Sequence, residues 1–494
     1  MNIKILSVLL MAVPIGAAAQ TTKTFPVTVI SQVKEANTRV TALAIDFQEP
    51  LPLNWTMASA FKIDAELGAL LSYEGKTLAA SAVPKAPRTI LRAYTSDRPD
   101  IGAPRAGQYV IIEMDANDSN ASSWYMGYNP GFRQILPYGH AMKYDIDLLH
   151  DLAYAAKDSA PDEPAAEVGT VSADAQFEIT NSVIRTADAF KQAVYTQDEN
   201  EHIKEISYNF YAPQSVEKAP LVIFLHGSGQ SHDTTNHPGD IRADTRAPLI
   251  TNQGAVTWIE KGGEPLFVLA PQAPARDLRD EAGEGGWRSE DAYSLLTGLI
   301  DTIIDENPSI DQNRIYLAGL SMGAIGSWKL LTDPNKEISG RFAAALLMNG
   351  MSTNSYALTS NDPAVKRAEA AAAMAEMSYD GLATPVWITH ADTDPVVHVD
   401  GSRIPFAKLS NSNVEGDVLV PGEGVTLTKG DLQLSYVARN PRTDQEVRYT
   451  EYLYGDGATM LDLGMVTPNG HFSWEVSFKD QNIIDWMLAQ TKND

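Results

Sequence analysis

The chain of 494 residues contains no cysteine. That excludes disulfides, thiol nucleophiles and thiolate metal sites, and equally a lipid anchor on an N-terminal cysteine. Basic residues are scarce: 38 Lys and Arg stand against 63 Asp and Glu, for a net charge of −25. A surface this acidic repels phosphate backbones and anionic lipid, so nucleic acid is not an expected partner. Past the N-terminus no run of 18 or more apolar residues occurs, and no membrane insertion is expected. What is present is ordinary globular composition, 44% hydrophobic and 20% charged, with enough chain for two or three domains.

Residues 1–19 read as a secretory signal. Lys4 is the sole early charge, Ile5 to Ile15 is a short apolar stretch, and Ala17, Ala18 and Ala19 give a small-residue cleavage site before Gln20. The expectation is an exported protein, periplasmic or secreted.

From residue 20 to 156 the pattern is β-rich. Phe25 to Ile30 alternates, and Arg39–Phe47, Arg88–Tyr94 and Gln108–Met114 are short β-prone runs separated by turn clusters such as Ser96–Asp100 and Asp115–Asp118. Short strands with regular turns suggest a small sandwich. The polar, Pro- and Ala-rich stretch Lys157–Glu167 lacks apolar periodicity, and a linker is expected over 157–174.

From 175 to 494 the pattern becomes α/β. Leu221–Leu225 and Leu266–Ala270 are continuous apolar runs, as strands buried on both faces require. Ser289 caps an expected helix whose stripe is Leu296, Leu299, Ile300, Ile303 and Ile304. Further strands are expected at Arg314–Ala318, Ala343–Met348 and Pro385–Thr389, and a C-terminal helix carries Ile483, Ile484, Trp486 and Met487. Strands alternating with helices imply a mostly parallel sheet, with chemistry at the C-terminal ends of its strands.

The sharpest motif is Gly319-Leu320-Ser321-Met322-Gly323, between a strand and an expected helix over Ala324–Leu331. That setting makes Ser321 a candidate nucleophile on a tight turn at a helix N-terminus. A serine hydroxyl needs a base, and the base needs an orienting acid. Asp394, just past a strand end, is favoured over Asp392 as the acid. Three histidines follow the serine: His390, His398 and His471. His471, in a Gly-led loop before the last helical segments, is favoured over the other two. Oxyanion donors are expected from the backbone of Met322 and from Gly227 or Ser228, in the glycine-rich turn after Leu221–Leu225. Trp287 and Trp474 are candidate contacts for the leaving group.

These residues resemble the α/β-hydrolase superfamily, and within it the branch of polyhydroxybutyrate-depolymerase-like and feruloyl-type esterases. The matching pieces are Leu225-His-Gly-Ser-Gly229, Pro271-Gln-Ala, the motif around Ser321, Asp394-Pro-Val-Val397 and His471-Phe-Ser-Trp474. Arg39–Pro50, together with the run from Ile90 through Asp115, is similar to the immunoglobulin-like domain that precedes some of these esterases. The resemblance implies a serine hydrolase with Ser321, Asp394 and His471 as its triad and no cofactor. Two departures stand out. The segment resembling H-G-x-x-D-x-x-V-P carries Ala391 and His398 at its second and last positions, and the Gly- and Thr-rich stretch from Gly416 to Arg442 is expected to form a hairpin overhanging the site.

The expectation is therefore an α/β-hydrolase domain behind an immunoglobulin-like sandwich, acting on a small-molecule or polymeric ester. A peptidase on the same triad and a non-enzymatic polymer-binding protein are the alternatives. The sequence leaves room for a homo-oligomer and does not name the acyl or alcohol group.

Overall fold

The computed structural model describes residues 23–492 apart from 35–36, 52, 54–56, 70–71, 74–75, 78–82, 130–133, 156–167, 201, 233–239, 276–277, 279, 281–283, 354–362 and 455–468. The expected signal segment and most of the expected linker lie outside the described residues.

The front of the chain folds as two facing sheets. One runs in the order Gln176–Arg185, Thr24–Val33, Thr38–Leu51, Gly107–Met114 and Ile90–Ser96; the other in the order Val83–Pro87, Phe61–Ala69, Gln134–Leu148 and Trp124–Asn129. Alternation drives the pairing. In Phe61–Ala69, Phe61, Ile63, Ala65 and Leu67 turn inward while Lys62 and Glu66 face out. Phe25, Phe47, Ile63, Ile112 and Met114 belong to the core between the sheets.

The first sheet reaches further along the chain than the sequence suggests. Gln176–Arg185 pairs in parallel with Thr24–Val33, and Val168–Val171 pairs with Leu152–Ala155. Residues expected to end a linker and open the second domain thus complete the sandwich. Most of Gln176–Arg185 is exposed on an edge, so it lacks the apolar signature of a buried strand.

The second domain is built on ten strands, in the order Lys191–Thr196, Glu205–Tyr211, Phe267–Gln272, Ala219–Leu225, Ile310–Leu320, Ala344–Met348, Val386–Ala391, Glu446–Tyr452, Gln433–Arg439 and Thr426–Lys429. The central ones, from Phe267–Gln272 to Glu446–Tyr452, pair in parallel. Successive residues serve opposite faces. Leu221, Ile223 and Leu225 join one core with the helix Glu290–Glu306, whereas Val222 and Phe224 join another with the helix Gln481–Leu488. Ser289 caps Glu290–Glu306 by accepting the Ala292 N–H at 3.2 Å.

The stretch from Gly416 to Arg442 is not an overhanging hairpin. It begins in a small ribbon, Asn413–Glu415 with Val418–Val420, and continues as the two antiparallel strands that extend the main sheet. Tyr436 and Ala438 are buried in the domain core, and burying them holds this segment against the sheet. Among the described residues no helix is long and apolar enough to cross a membrane.

The two domains share a core. Val33 and Trp124 of the front domain pack in the cluster that contains Leu249, Ile250 and Phe224. The Ile250 carbonyl accepts from Thr38 Oγ1 at 2.5 Å and from the Trp124 indole at 3.2 Å, and Gln253 donates to the Val33 carbonyl at 3.2 Å.

Candidate active site

Ile310–Leu320 is followed at once by the helix Met322–Leu331, and Ser321 is the hinge, with φ 52° and ψ −121°. A non-glycine residue with positive φ is strained and is held only by its surroundings. The flanking glycines make the turn sterically allowed. A Cβ on Gly323 would lie 1.9 Å from the Leu225 carbonyl oxygen, and one on Gly319 would lie 2.5 Å from the Gly323 oxygen. The Ser321 N–H is tied to the Met348 carbonyl at 2.8 Å, which fixes the hinge to the neighbouring strand.

Ser321 Oγ lies 3.0 Å from His471 Nε2, and His471 Nδ1 lies 2.8 Å from Asp394 Oδ2. The carboxylate only accepts, so Nδ1 carries hydrogen and Nε2 presents its lone pair to the serine hydroxyl. All three residues are under a tenth exposed. Asp394 follows the strand Val386–Ala391, and His471 sits in the short turn Gly470–Phe472, whose Asn469 side chain accepts the His471 N–H at 2.9 Å.

Asp394 is held from every side. Oδ1 accepts the Val396 and Val397 N–H groups at 2.8 and 2.9 Å; Oδ2 accepts from His471, from His390 Nε2 at 3.1 Å and from Asn349 Nδ2 at 3.2 Å. Burial pushes its pKa up, but the His471 charge interaction and the hydrogen bonds from His390 and His471 outweigh it and hold the carboxyl well below the usual range. Asn349 also donates to the Gly470 carbonyl at 3.1 Å and accepts from Ser473 Oγ at 2.8 Å. One buried amide thus joins the loop that bears the acid to the loop that bears the base.

The rival residues have other work. Asp392 accepts the Tyr454 N–H at 2.9 Å. His398 is partly exposed beside Asp400, at 3.2 Å. His390 contacts the acid rather than the serine.

The turn after Ala219–Leu225 brings Gly227 against the nucleophile. A Cβ at 227 would lie 2.9 Å from Leu320 Cδ1 and 3.3 Å from Ser321 Cβ. Ser228 opens the short helical turn that follows. His226 sets this loop. Its Nε2 accepts the Ala273 N–H at 2.8 Å, so Nδ1 carries the hydrogen donated to the Gly227 carbonyl at 2.6 Å. Burial pushes the His226 pKa down to about 4. Met322 is the first helical residue, where backbone N–H groups have no intrahelical acceptor. Gly227 thus abuts Ser321, and Met322 follows the serine at the start of the helix.

The two tryptophans differ from expectation. Trp287 is 2% exposed and lies in the domain core, its indole donating to the His226 carbonyl at 3.0 Å. It braces the His226–Gly229 turn and, being buried, offers no surface to a leaving group. Trp474 is also buried, edge-on to the His471 ring with centroids 5.1 Å apart, so it backs the imidazole. His226 and Asn349 are residues that sequence reasoning passed over, and His390, weighed there only as a base, is found beside the acid. Their only signals are their positions, each within five residues of a site residue or at a strand end.

Among the described residues no group of three or more His, Asp or Glu side chains could hold a metal ion. The polar groups converge on the serine and on a carboxylate, an arrangement suited to acyl transfer.

Residues 26–181 match the family model of the esterase Ig-like N-terminal domain. No match is found among curated proteins. Among solved structures, a thermostable esterase superposes with a TM-score of 0.62 at 23% identity, over 94% of this chain and 99% of that one. An S-formylglutathione hydrolase from Agrobacterium tumefaciens gives 0.35 at 16% identity, over 62% of this chain and 96% of that one. A carboxylesterase from Lactobacillus plantarum gives 0.30 at 16%, over 44% and 76%. The chain has the α/β-hydrolase fold, and the region ahead of it is an Ig-like sandwich that matches the esterase Ig-like N-terminal domain.

Proposed function

We propose that this protein is an exported serine esterase that cleaves carboxylic esters through an acyl-enzyme. The observation that carries the reading is the relay from Ser321 Oγ to His471 Nε2 at 3.0 Å and from His471 Nδ1 to Asp394 at 2.8 Å. The esterase Ig-like match over residues 26–181 supports the choice of ester over amide.

Ser321 Oγ attacks the ester carbonyl carbon while its proton passes to His471 Nε2. The carbonyl oxygen becomes an oxyanion held by the backbone N–H of Met322 and by that of Gly227 or Ser228. Asp394 keeps the imidazole in the productive tautomer and stabilises the imidazolium. Collapse expels the alkoxide, which takes the proton from His471, and Ser321 is left acylated. Water, deprotonated by His471, adds to the acyl carbon; collapse returns the proton to Ser321 and releases the carboxylic acid.

The test is hydrolysis of p-nitrophenyl acetate and butyrate, with matched anilides in parallel. Ser321→Ala is expected to lower turnover by several orders of magnitude, and a fluorophosphonate probe is expected to label the unsubstituted protein at Ser321. Equal rates for the two proteins would remove the proposal, and anilides cleaved as fast as esters would turn it into a peptidase. Export is read from residues 1–19, and a mature N-terminus at Gln20 in the periplasm or medium is its test.

A further inference from the structure

His390 ends a strand that also delivers the acid, and its ring is wholly buried. Nε2 lies 3.1 Å from Asp394 Oδ2 and 2.9 Å from the Val397 carbonyl oxygen. Both partners only accept, so Nε2 carries a hydrogen. Nδ1 lies 2.7 Å from Ser402 Oγ, a hydroxyl that can donate to it. The ring is fixed from both ends, and its hydrogen meets the same carboxylate oxygen that takes the His471 Nδ1 hydrogen.

We propose that His390 is a positioning residue of the triad, whose Nε2–H holds the Asp394 carboxylate in line with His471 and draws off part of the negative charge that His471 meets. The inference rests on the reading of Ser321, Asp394 and His471 as the triad. A carboxylate favours the protonated form of an adjacent imidazole, and a donor on the same oxygen weakens that pull. His390 thereby shares with His471 the negative charge of one carboxylate oxygen.

The other charged groups around His390 are already engaged. Glu451, its register neighbour on Glu446–Tyr452, is bound by Arg403 Nε at 2.8 Å and by the Tyr449 hydroxyl at 2.7 Å. Asp400, on the helix that carries Ser402, pairs with Arg367 at 3.0 Å and lies 3.2 Å from His398. Asp392 accepts the Tyr454 N–H. Asn349, past the end of the adjoining strand, is neutral. Asp394 is the charged group that His390 contacts.

The experiment measures kcat and KM for p-nitrophenyl butyrate across pH with the full-length protein, His390→Leu, His390→Gln and Ser321→Ala. Leucine removes the donor, whereas the glutamine amide reaches the place of Nε2. His390→Leu is expected to lower kcat about tenfold, to leave KM within about threefold, and to move the acid limb of kcat/KM up by about 0.5–1 pH unit. His390→Gln is expected to keep the limb where it is in the unsubstituted protein. An unmoved limb in His390→Leu, or an equal displacement in both variants, would overturn the proposal by making the residue mere packing. If the leucine variant does not fold, His390→Asn, whose amide falls short of Asp394, takes its place under the same criteria. Ser321→Ala separates the two readings. If it is as active as the unsubstituted protein, the triad assignment falls and this proposal with it. If it is inactive, the limb alone decides the role of His390.

Discussion

Replacing Asp394 by asparagine changes one oxygen into an NH2 group and leaves the shape of the side chain unchanged. In this site neither orientation of the amide is accommodated. With its nitrogen in the place of Oδ2 it confronts three donors, from His471, His390 and Asn349. With its nitrogen in the place of Oδ1 it confronts the Val396 and Val397 N–H groups. The milder choice leaves the buried Val397 N–H and the part-buried Val396 N–H facing a donor, at a cost of about 1–3 kcal/mol for the first and less for the second. Loss of the orienting carboxylate is expected to lower kcat by about ten-thousand-fold. The stability difference depends on pH, with a definite sign. The folded-state pKa of Asp394 is depressed, so its contribution is present above the unfolded value of about 3.9 and is lost as pH falls below it. Denaturant unfolding of Asp394→Asn and the unsubstituted protein should differ most near neutrality and converge on acidification below about pH 4. A variant within about 1 kcal/mol of the unsubstituted protein at pH 7, or within tenfold in kcat, would refute the account of the five donors.

Gly227→Ala places a Cβ against Leu320 and Ser321; the loop must retreat, and kcat should fall about a hundredfold with little change in KM, by steady-state kinetics. Gly323→Ala drives a Cβ into the Leu225 carbonyl, a backbone atom that cannot step aside, so little folded protein is expected in the soluble fraction. For His226, with a folded pKa of about 4, the unfolded chain takes up the proton first, near pH 6.5. Stability should therefore decline by about 3 kcal/mol as pH falls from 6.5 to 4, and His226→Gln should lack that portion of the decline in denaturant titrations. Trp287→Phe removes the hydrogen bond to the His226 carbonyl, so a melting temperature lowered by a few degrees with KM unchanged for short and long acyl esters is expected.

Legibility followed burial and local geometry. Leu221–Leu225, Ala343–Met348 and the Ser289 cap were readable because strands buried on both faces and helix starts leave local signatures. The elbow was readable because only glycine fits at 319 and 323. The second sheet of the front domain was not. Gln134–Leu148 carries Pro137 and Gly139 inside a strand, and Phe61–Ala69, although it alternates, pairs with that strand across more than seventy residues, a partnership that its own pattern does not name. Gln176–Arg185 lies on an edge, where burial does not select apolar residues. In the site, Asp394 and His471 could be proposed because they follow the serine in the order acid, then base. The contact of Asn349 with Asp394 joins residues 45 apart in the chain and depends on how separate strands and loops converge, whereas His390 lies four residues before Asp394 and was legible as its neighbour but not as its partner. Trp287 was misjudged because an aromatic in a glycine-rich segment looks the same whether it faces the cleft or the core.

The shared grip on the Ile250 carbonyl means that the two halves of the molecule are not beads on a string. Thr38 and Trp124 hold the residue next to Thr251, and the Thr251 hydroxyl accepts from Gln230, three residues beyond Gly227, at 3.1 Å. A shortened protein beginning near residue 190 would lose the indole and valine side chains that fill out its own interior, and would loosen a loop that borders the nucleophile. Any attempt to graft a different module onto this hydrolase must therefore carry Val33, Thr38 and Trp124 across with it.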